Sequence, residues 1–394
     1  MIKSLIADEL KILRCDTHIV ECAAQWDERT SITAAVDHAP ASTLDADSLE
    51  RLVLAMRVAD VFHLRDSGLQ DYLLRFKTLG EWVELIQHTR TIGSRHLTFF
   101  TSGSSGQPKA CAHCWETLLA EVQHCGELFA ATLGQPIQRI IALVPAHHIY
   151  GCLFSVILAD WLQVPVIRNQ AALIHCQART LQAGDLILGF PFLWKQLARQ
   201  AQPFPQHVLG VTSTSPCEAE TIRQLKHQGL SAMVELYGAS ETAGIGVRTD
   251  PKQPFALLPR WQRTEGDALL ECASGERYPL NDALAWHDDR QFIPNGRLDQ
   301  AVQVGGINVF PQRIAAQFAA LPEVEAARVR LMRPNEGDRL KAFIVPADSA
   351  NHSEQLIDQL QHWCNQHLTA PERPRAFTIG AQLPSNAMGK DSDW

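Results

Sequence analysis

Leu97-Thr98-Phe99-Phe100-Thr101-Ser102-Gly103-Ser104-Ser105-Gly106-Gln107-Pro108-Lys109 is the stretch on which the fold turns. Four β-favouring residues run into a loop of hydroxyls and glycines that closes on a proline and a lysine. Glycines allow tight reversal and close backbone approach to a ligand. Successive N–H groups and hydroxyls then form a concave anion site, to which a lysine adds a point charge. A Walker loop is the first comparison, but Gly106 is followed by Gln107-Pro108 rather than Lys-Ser/Thr, so that spacing fails. A serine-rich surface linker would explain the composition but not the apolar strand before it.

Composition bounds the rest. The 394 residues suggest two or three domains, and 46% apolar with 20% charged residues is the balance of a globular protein with a large core. The net charge of −8 argues against a general nucleic-acid or membrane-surface binder. The stretch from Cys152 to Ile167 contains Asp160 and Pro165 and is too short for a membrane span. The first residues lack the apolar run of a signal peptide, so a cytoplasmic location is the expectation. Ten cysteines without disulfide rhythm suit a reducing compartment. Cys111-Ala112-His113-Cys114 has C-x-x-C spacing, but no second pair follows for zinc and no thioredoxin-like context surrounds it. Two small, partly buried thiols are the reading.

Residues 1–90 read as mostly helical, with Asp45 or Asp47 capping a helix whose face carries Leu49, Leu52, Val53 and Met56. Leu69–Phe76 and Leu79–Ile86 have similar spacing, with Gly80 as a candidate break. From residue 97 strands and helices alternate, which predicts a parallel sheet flanked by helices. The strand candidates are Leu97–Thr101, Arg139–Val144, Val164–Ile167, Asp185–Gly189, His207–Thr212 and Ala232–Leu236. Helices fit at Trp115–Phe129 and Glu218–Gln228. Val324–Val329, Ala342–Val345 and a helix over Glu354–His367 suggest a compact α+β unit at the end. Arg328, Arg330, Arg333, Arg339 and Lys341 cluster there, either as a solvated face or as a landing patch for an acidic carrier or for phosphates.

The chemistry-bearing segments fall at strand ends, where ligands gather in such sheets. Pro145-Ala146-His147-His148-Ile149-Tyr150-Gly151 follows a strand; a plain helix-capping histidine pair is its bland reading. Thr212-Ser213-Thr214-Ser215-Pro216 ends another. Tyr237-Gly238-Ala239-Ser240-Glu241-Thr242 offers a flat ring for a base, a hydroxyl for phosphate and a carboxylate for Mg2+. A nucleophile elbow would need glycine where Thr242 stands. Asn281-Asp282 supplies a carboxylate able to accept two hydrogen bonds, with a surface turn as the competing account.

These segments together resemble the adenylate-forming superfamily of acyl-CoA synthetases, nonribosomal peptide adenylation domains and luciferases. T-S-G-S-S-G-x-P-K is similar to its phosphate loop and Y-G-A-S-E to its Y-G-x-[TS]-E. Gly296-Arg297-Leu298-Asp299 is similar to G-R-x-D, and Gln303-Val304-Gly305-Gly306-Ile307-Asn308-Val309-Phe310-Pro311 to the glycine-pair loop. Leu383-Pro384 through Gly389-Lys390 resembles the terminal L-P-x-x-x-x-G-K. The histidine segment resembles the F-H-I-Y of the 4-coumarate ligases. The departures from the family pattern are Ser213 for glycine, Leu280-Asn281 for Thr-Gly before the aspartate, and Gln312-Arg313-Ile314-Ala315 for S-E-I-E after the loop, which leaves the glutamate missing.

The resemblance implies an α/β N-terminal domain over 1–298, with parallel-type sheets, helices and a shortened N-terminal region. A small mobile α+β lid over 299–394 would hinge at Asp299. It implies ATP-dependent activation of a carboxylic acid as acyl-AMP with release of pyrophosphate, then transfer to the thiol of CoA or of a carrier protein's phosphopantetheine. Lys390, His148 and Glu241 would be catalytic, with Glu241 holding Mg2+. ATP or AMP would be bound by Thr101, Ser102, Gly103, Ser104, Ser105, Gly106, Lys109, Ser213, Tyr237, Gly238, Ser240, Asp282 and Arg297. His148, Tyr150, Phe154 and Leu236 would line the acyl pocket, and Gly305 and Gly306 the thiol tunnel. An aromatic acid is favoured over a fatty acid, and an amino acid is disfavoured because no charged pair stands ready for its ends. Compact ligases of this kind feed aryl acids to CoA or to an acyl carrier protein. A catalytically silent ATP- or acyl-AMP-binding protein is the alternative from another class.

Overall fold

The computed structural model describes every residue except 17, 34–41, 103–107, 201, 334, 348–352 and 385–393, and only the backbone of Thr101, Ser102, Pro108 and Ser353. The described part of the first 92 residues is mostly helical, as the spacing predicts, in segments Ile2–Arg14, Ser48–Val61 and Leu79–Ile92 with shorter helical turns between them and small β-bridges at Ser31. Asp47 caps the second of these: its carboxylate accepts the N–H groups of Leu49 and Glu50, and Glu50 accepts the N–H of Asp47 in return. Such reciprocal capping is worth about 1 kcal/mol. Arg14 of the first helix grips the same Glu50 at 2.6 and 2.7 Å.

The expected apolar face of this helix is the wrong one. Leu49, Leu52, Val53 and Met56 are exposed, while Leu54, Ala55, Val58, Ala59 and Val61 pack into the core. The segment is apolar on both sides, so helical periodicity had two solutions, and the smaller residues won the closer approach. Gly80 does not break the third helix, because the Thr78–Glu81 capping box starts it one residue earlier and outweighs the glycine's entropy. Over Leu69–Phe76 only a short 3-10 turn forms, Gln70–Leu74.

Strand β1 (His96–Ser102) does not join the main sheet, as the alternation of elements had implied. It pairs antiparallel with β2 (Pro108–Cys114), Thr101 facing Lys109, as a separate hairpin. Cys111 and Cys114 both lie on β2, are unbonded, and stand three apart. An odd spacing on a strand sends them to opposite faces, which excludes a shared chelate. Helix Trp115–Leu133 follows.

The main sheet has nine strands and is mixed. Its parallel half contains β3 (Arg139–Ala142), β4 (Val166–Arg168), β5 (Asp185–Gly189), β6 (Val208–Thr212) and β7 (Ala232–Ala239). The spatial order is β4-β3-β5-β6-β7 with parallel register throughout. Helices lie between these strands, among them Ala219–His227, in the βαβ pattern that places them on the sheet's faces. Every residue of β5 is buried, and the pleat divides them: Leu186 and Leu188 enter one core, Ile187 another around Trp194, Leu225 and Met233.

Beyond β7 the sheet continues antiparallel through β8 (Ala243–Arg248) and β9 (Phe255–Leu257). A side sheet of β10 (Trp261–Arg263), β11 (Ala268–Glu271) and β12 (Arg277–Pro279) intervenes in sequence. The chain then returns as β13 (Asp282–Trp286) and β14 (Gln291–Arg297), which close the far edge beside β9.

From residue 302 the chain builds a core of its own, with Val309, Ile314, Phe318, Leu340 and Leu360 at its centre. It comprises the hairpin β15 (Val302–Val304) and β16 (Ile307–Val309), then β17 (Val324–Leu331), β18 (Leu340–Pro346) and β19 (Ala376–Ile379). Helices Pro311–Ala319 and Ser353–His367 complete it. Much of its basic cluster is engaged internally. Arg330 and Lys341 both grip Glu336 and reach the main-chain oxygen of Trp394, and Arg328 donates to the Pro384 carbonyl.

Candidate active site

The site is built where strand β2 meets the β7–β8 turn. Lys109 stands at the start of β2, and Ser240 and Glu241 at the apex of the turn. Two contacts join them. Lys109 Nζ lies 2.9 Å from Glu241 Oε1, and His113 Nε2 donates to the Ser240 carbonyl at 2.6 Å. The second contact fixes the histidine's tautomer, and burial keeps its pKa below the usual imidazole value.

Burial pushes the Glu241 carboxyl upward, but hydrogen bonds from Lys109 and Asn281 outweigh it, so the group stays ionised well into acid. The Asn281 amide donates to the same Oε1 at 3.1 Å. Sequence reasoning counted Asn281 only as a departure. Its signal was its adjacency to Asp282, which places it at the start of β13, facing the turn.

The turn needs its small residues. A side chain at Gly238 would put a Cβ 2.2 Å from the Ala243 carbonyl oxygen, a distance no real Cβ adopts. Beneath the turn, the fully buried Glu121 accepts the Gly244 N–H and the Arg260 guanidinium, which also holds Glu271 at 2.9 Å. Burial raises the Glu121 carboxyl to about 7 against the pull of Arg260. This support was not visible in the sequence, because its members lie far apart along the chain.

Tyr237, Asp282 and Arg297 form the next group. The Tyr237 hydroxyl donates to Asp282 Oδ2 at 2.5 Å, and its ring packs on Phe255 and Phe292. Asp282 and Arg297 are cross-strand partners on β13 and β14. Asp282 Oδ1 is buried, finds no hydrogen-bond donor among the described residues, and lies 3.5 Å from the Arg297 guanidinium. Arg297 also forks onto Asp299 at 2.7 and 2.5 Å. Despite some burial, that clamp and the Ala301 N–H hold the Asp299 carboxyl below its ordinary value.

The histidine segment lies beyond the end of β3. His148 stands at the N-cap position of the short helix Ile149–Cys152 without a capping hydrogen bond, exposed at its edge, and desolvation by the surrounding protein lowers its pKa below the usual imidazole value. His147 packs 4.3 Å from it and meets Ser4 Oγ at 2.8 Å. Tyr150 is buried, with its hydroxyl 2.9 Å from the Val211 carbonyl and 3.2 Å from that of Gly189. Phe154 packs edge-on to Tyr150 and against Phe129. Ser213 donates to the Leu236 carbonyl at 2.9 Å, joining the ends of β6 and β7.

Gly305 and Gly306 turn the β15–β16 hairpin at φ of 60° and 81°, in the region glycine favours. A Cβ at Gly306 would meet Thr214 Oγ1 at 2.7 Å, and Gln303 donates to the Thr214 carbonyl at 2.5 Å. The glycine pair therefore lies against the segment after β6. Gly103, Ser104, Ser105, Gly106 and Lys390 lie outside the described residues, as do the side chains of Thr101 and Ser102.

The donors fit the groups the resemblance implies. A buried, unmatched carboxylate oxygen on Asp282 suits a hydroxyl pair, and an ionised Glu241 is a hard oxygen ligand of the kind Mg2+ takes. Comparison with known proteins agrees. The family model for AMP-binding enzymes matches residues 32–263, and that for the AMP-binding enzyme C-terminal domain matches 314–390. A 4-coumarate–CoA ligase of Halorhodospira halophila is 39% identical over 361 residues, covering 89% of this chain and 88% of that protein. The 4-coumarate–CoA ligase of Cereibacter sphaeroides is 39% identical over 356 residues, covering 89% and 84%.

Among solved structures, o-succinylbenzoate CoA synthetase (MenE) of Bacillus subtilis superposes with a TM-score of 0.62 at 14% identity, covering 99% of this chain and 91% of that one. The amide bond synthetase McbA of Marinactinospora thermotolerans gives 0.58 at 18% identity over 75% and 67%. Both share the fold. The chain belongs to the AMP-binding enzyme family, in the adenylate-forming superfamily, and within it is 4-coumarate–CoA ligase-like.

Proposed function

We propose that this protein is an ATP-dependent acid–CoA ligase whose substrate is 4-coumarate or a close arylacrylic acid. The observation that carries the reading is the convergence of Lys109, Glu241, Asn281, Asp282 and Arg297 from four separate segments onto one site, where the buried Asp282 Oδ1 accepts no hydrogen bond among the described residues. The 39% identity to 4-coumarate–CoA ligases over most of the chain supports the choice of acid.

In this reading the substrate carboxylate attacks the α-phosphorus of ATP, and pyrophosphate leaves. Asp282 accepts the ribose hydroxyls, the Tyr237 ring faces adenine, and Lys109 turns from Glu241 to the phosphates. Glu241 would hold Mg2+, which when bound would supply positive charge beside the α-phosphate oxygens on which charge builds. His148, kept neutral by its surroundings, sits beside the acid's carboxylate without competing for a proton. Tyr150 and Phe154 shape the acyl pocket through the packing of their helix. Lys390 closes on the reacting oxygens during adenylation. The unit from 299 onward then turns about Asp299, and the Gly305–Gly306 loop borders the path of the thiol. Catalysis of this kind is positioning and charge stabilisation rather than covalent chemistry.

ATP–pyrophosphate exchange tests it, measured with benzoic, hydroxycinnamic and fatty acids and with Lys390→Ala as control. Exchange with hydroxycinnamic acids that the variant loses, followed by AMP release dependent on CoA, is the expected result. Exchange confined to fatty acids would overturn the acid assignment; ATP binding without exchange with any of these acids would favour a silent binding protein.

A further inference from the structure

We propose that His63, Asp66 and His96 form a second metal site, one that takes a Zn2+-class cation and ties the end of helix Ser48–Val61 to the base of the β1–β2 hairpin. One ligand atom from each residue lies within 4.8 Å of the other two. His63 Nδ1 is 3.6 Å from Asp66 Oδ2, and the two imidazole centroids are 5.5 Å apart.

The protonation pattern suits a metal ligand. His63 Nε2 and Thr98 Oγ1 are 2.7 Å apart, a short hydrogen bond, whereas 3.6 Å from Nδ1 to the carboxylate is too long for one. A proton on Nε2, donated to Thr98, leaves the Nδ1 lone pair free, with Asp66 Oδ2 3.6 Å from it. A second partner on the far nitrogen is what orients a metal-bound histidine and fixes its tautomer. Tetrahedral bonds of about 2.1 Å place neighbouring donors roughly 3.4 Å apart, close to the His63–Asp66 separation. His96 and Asp66 are exposed, so an ion can enter and keep water in its remaining position.

The backbone contributes too. His63 adopts φ 54° and ψ 40°, a left-handed conformation uncommon outside glycine, at the head of the 3-10 turn Leu64–Ser67. That turn brings Asp66 back beside the ring. Two imidazoles and a carboxylate are the donor set of Zn2+ and its neighbours; Mg2+ prefers oxygen alone. The site is not catalytic. His96 begins β1 and Ser102 ends it, six residues or about 20 Å further along an extended strand.

The test is calorimetric titration of Zn2+ alone into the metal-stripped full chain, carrying Cys15→Ser, Cys22→Ser and Cys272→Ser to remove exposed thiols. One equivalent should bind, and millimolar Mg2+ should not displace it. His96→Gln and Asp66→Asn, both on exposed side chains, should each weaken binding about 100-fold or more. Thr98→Val, which touches no ion, should weaken it about 10- to 100-fold. Unchanged melting temperatures in chelator would show that the variants are folded. No uptake of Zn2+, or uptake of unaltered affinity in His96→Gln or Asp66→Asn, overturns the assignment.

Discussion

Glu241→Gln separates the two roles a paired carboxylate can have. In this structure Glu241 meets Lys109 at 2.9 Å, with the lysine side chain 56% exposed and the glutamate 25% exposed. An ion pair so open to water is screened, and its loss costs folding at most about 1 kcal/mol. For a chain of 394 residues that is a fall of roughly 1–2 °C in melting temperature. Gln keeps an oxygen for the Asn281 amide, so the turn retains that bond. Losing a charge that stabilises the transferring phosphorus costs far more, on the order of 10²–10³ in rate, or about 2.7–4 kcal/mol of barrier. The assay pairs ATP–pyrophosphate exchange across a Mg2+ titration with thermal unfolding of the same sample. We expect exchange to fall by that factor, with a raised Mg2+ requirement and a nearly unchanged melting temperature. Exchange within about fivefold of the parent would refute the metal and charge role, since loss of a charge at the transferring phosphate costs at least tenfold more. A fall of more than about 10 °C would make Glu241 a structural residue instead.

Asp282→Ala should raise the KM for ATP about 100-fold, the value of hydrogen bonds from two hydroxyls to a charged acceptor, with little change for the acid. An equal rise for both substrates would argue against ribose binding. Burial, helped by the neighbouring His148, depresses the His147 pKa from 6.5 to about 3. A depressed base binds fewer protons folded than unfolded, so its stabilising share is intact above pH 6.5 and is lost as pH falls towards 3. At pH 5 the loss is about 2 kcal/mol, and urea unfolding of His147→Gln should show a flatter pH dependence than the parent. An identical slope would contradict the assignment. Gly306→Ala meets Thr214 Oγ1 at 2.7 Å and strains a φ of 81°. It should slow CoA-dependent AMP release by tenfold or more, on the scale that small misplacements cost, while exchange persists. Equal loss of both half-reactions would refute a thiol-side role for that loop.

What the sequence made legible was chemistry that stands at strand ends. Lys109, Glu241, Asp282 and Arg297 each sit in a short segment whose residue types have few alternative uses, and the structure brings all four together. The parallel half of the sheet was also readable, because its strands are buried on both faces and so are continuously apolar, as Asp185–Gly189 illustrates after its first residue. The antiparallel half was missed. Phe255–Leu257 there, and Trp261–Arg263 in the side sheet, have three residues each, too few to establish a period. The exposed stripe of Leu49, Leu52, Val53 and Met56 misled for the opposite reason, since a helix apolar all round offers periodicity on more than one face. Asn281 and Glu121 were illegible because their roles exist only through partners 40 and 123 residues away.

The Lys109–Glu241 pair has a further consequence for the order of events. Each charge serves as the other's stand-in until the substrates come. Metal-free nucleotide that drew the lysine away would leave the glutamate unbalanced beside triphosphate, and metal alone would have to displace an ammonium already in place. Nucleotide and metal arriving together exchange both partners at once, with no charge left bare. On the proposed reading the resting site would be a latch with two keys: it would favour the complex of both ligands over either one, and would make their affinities rise and fall together.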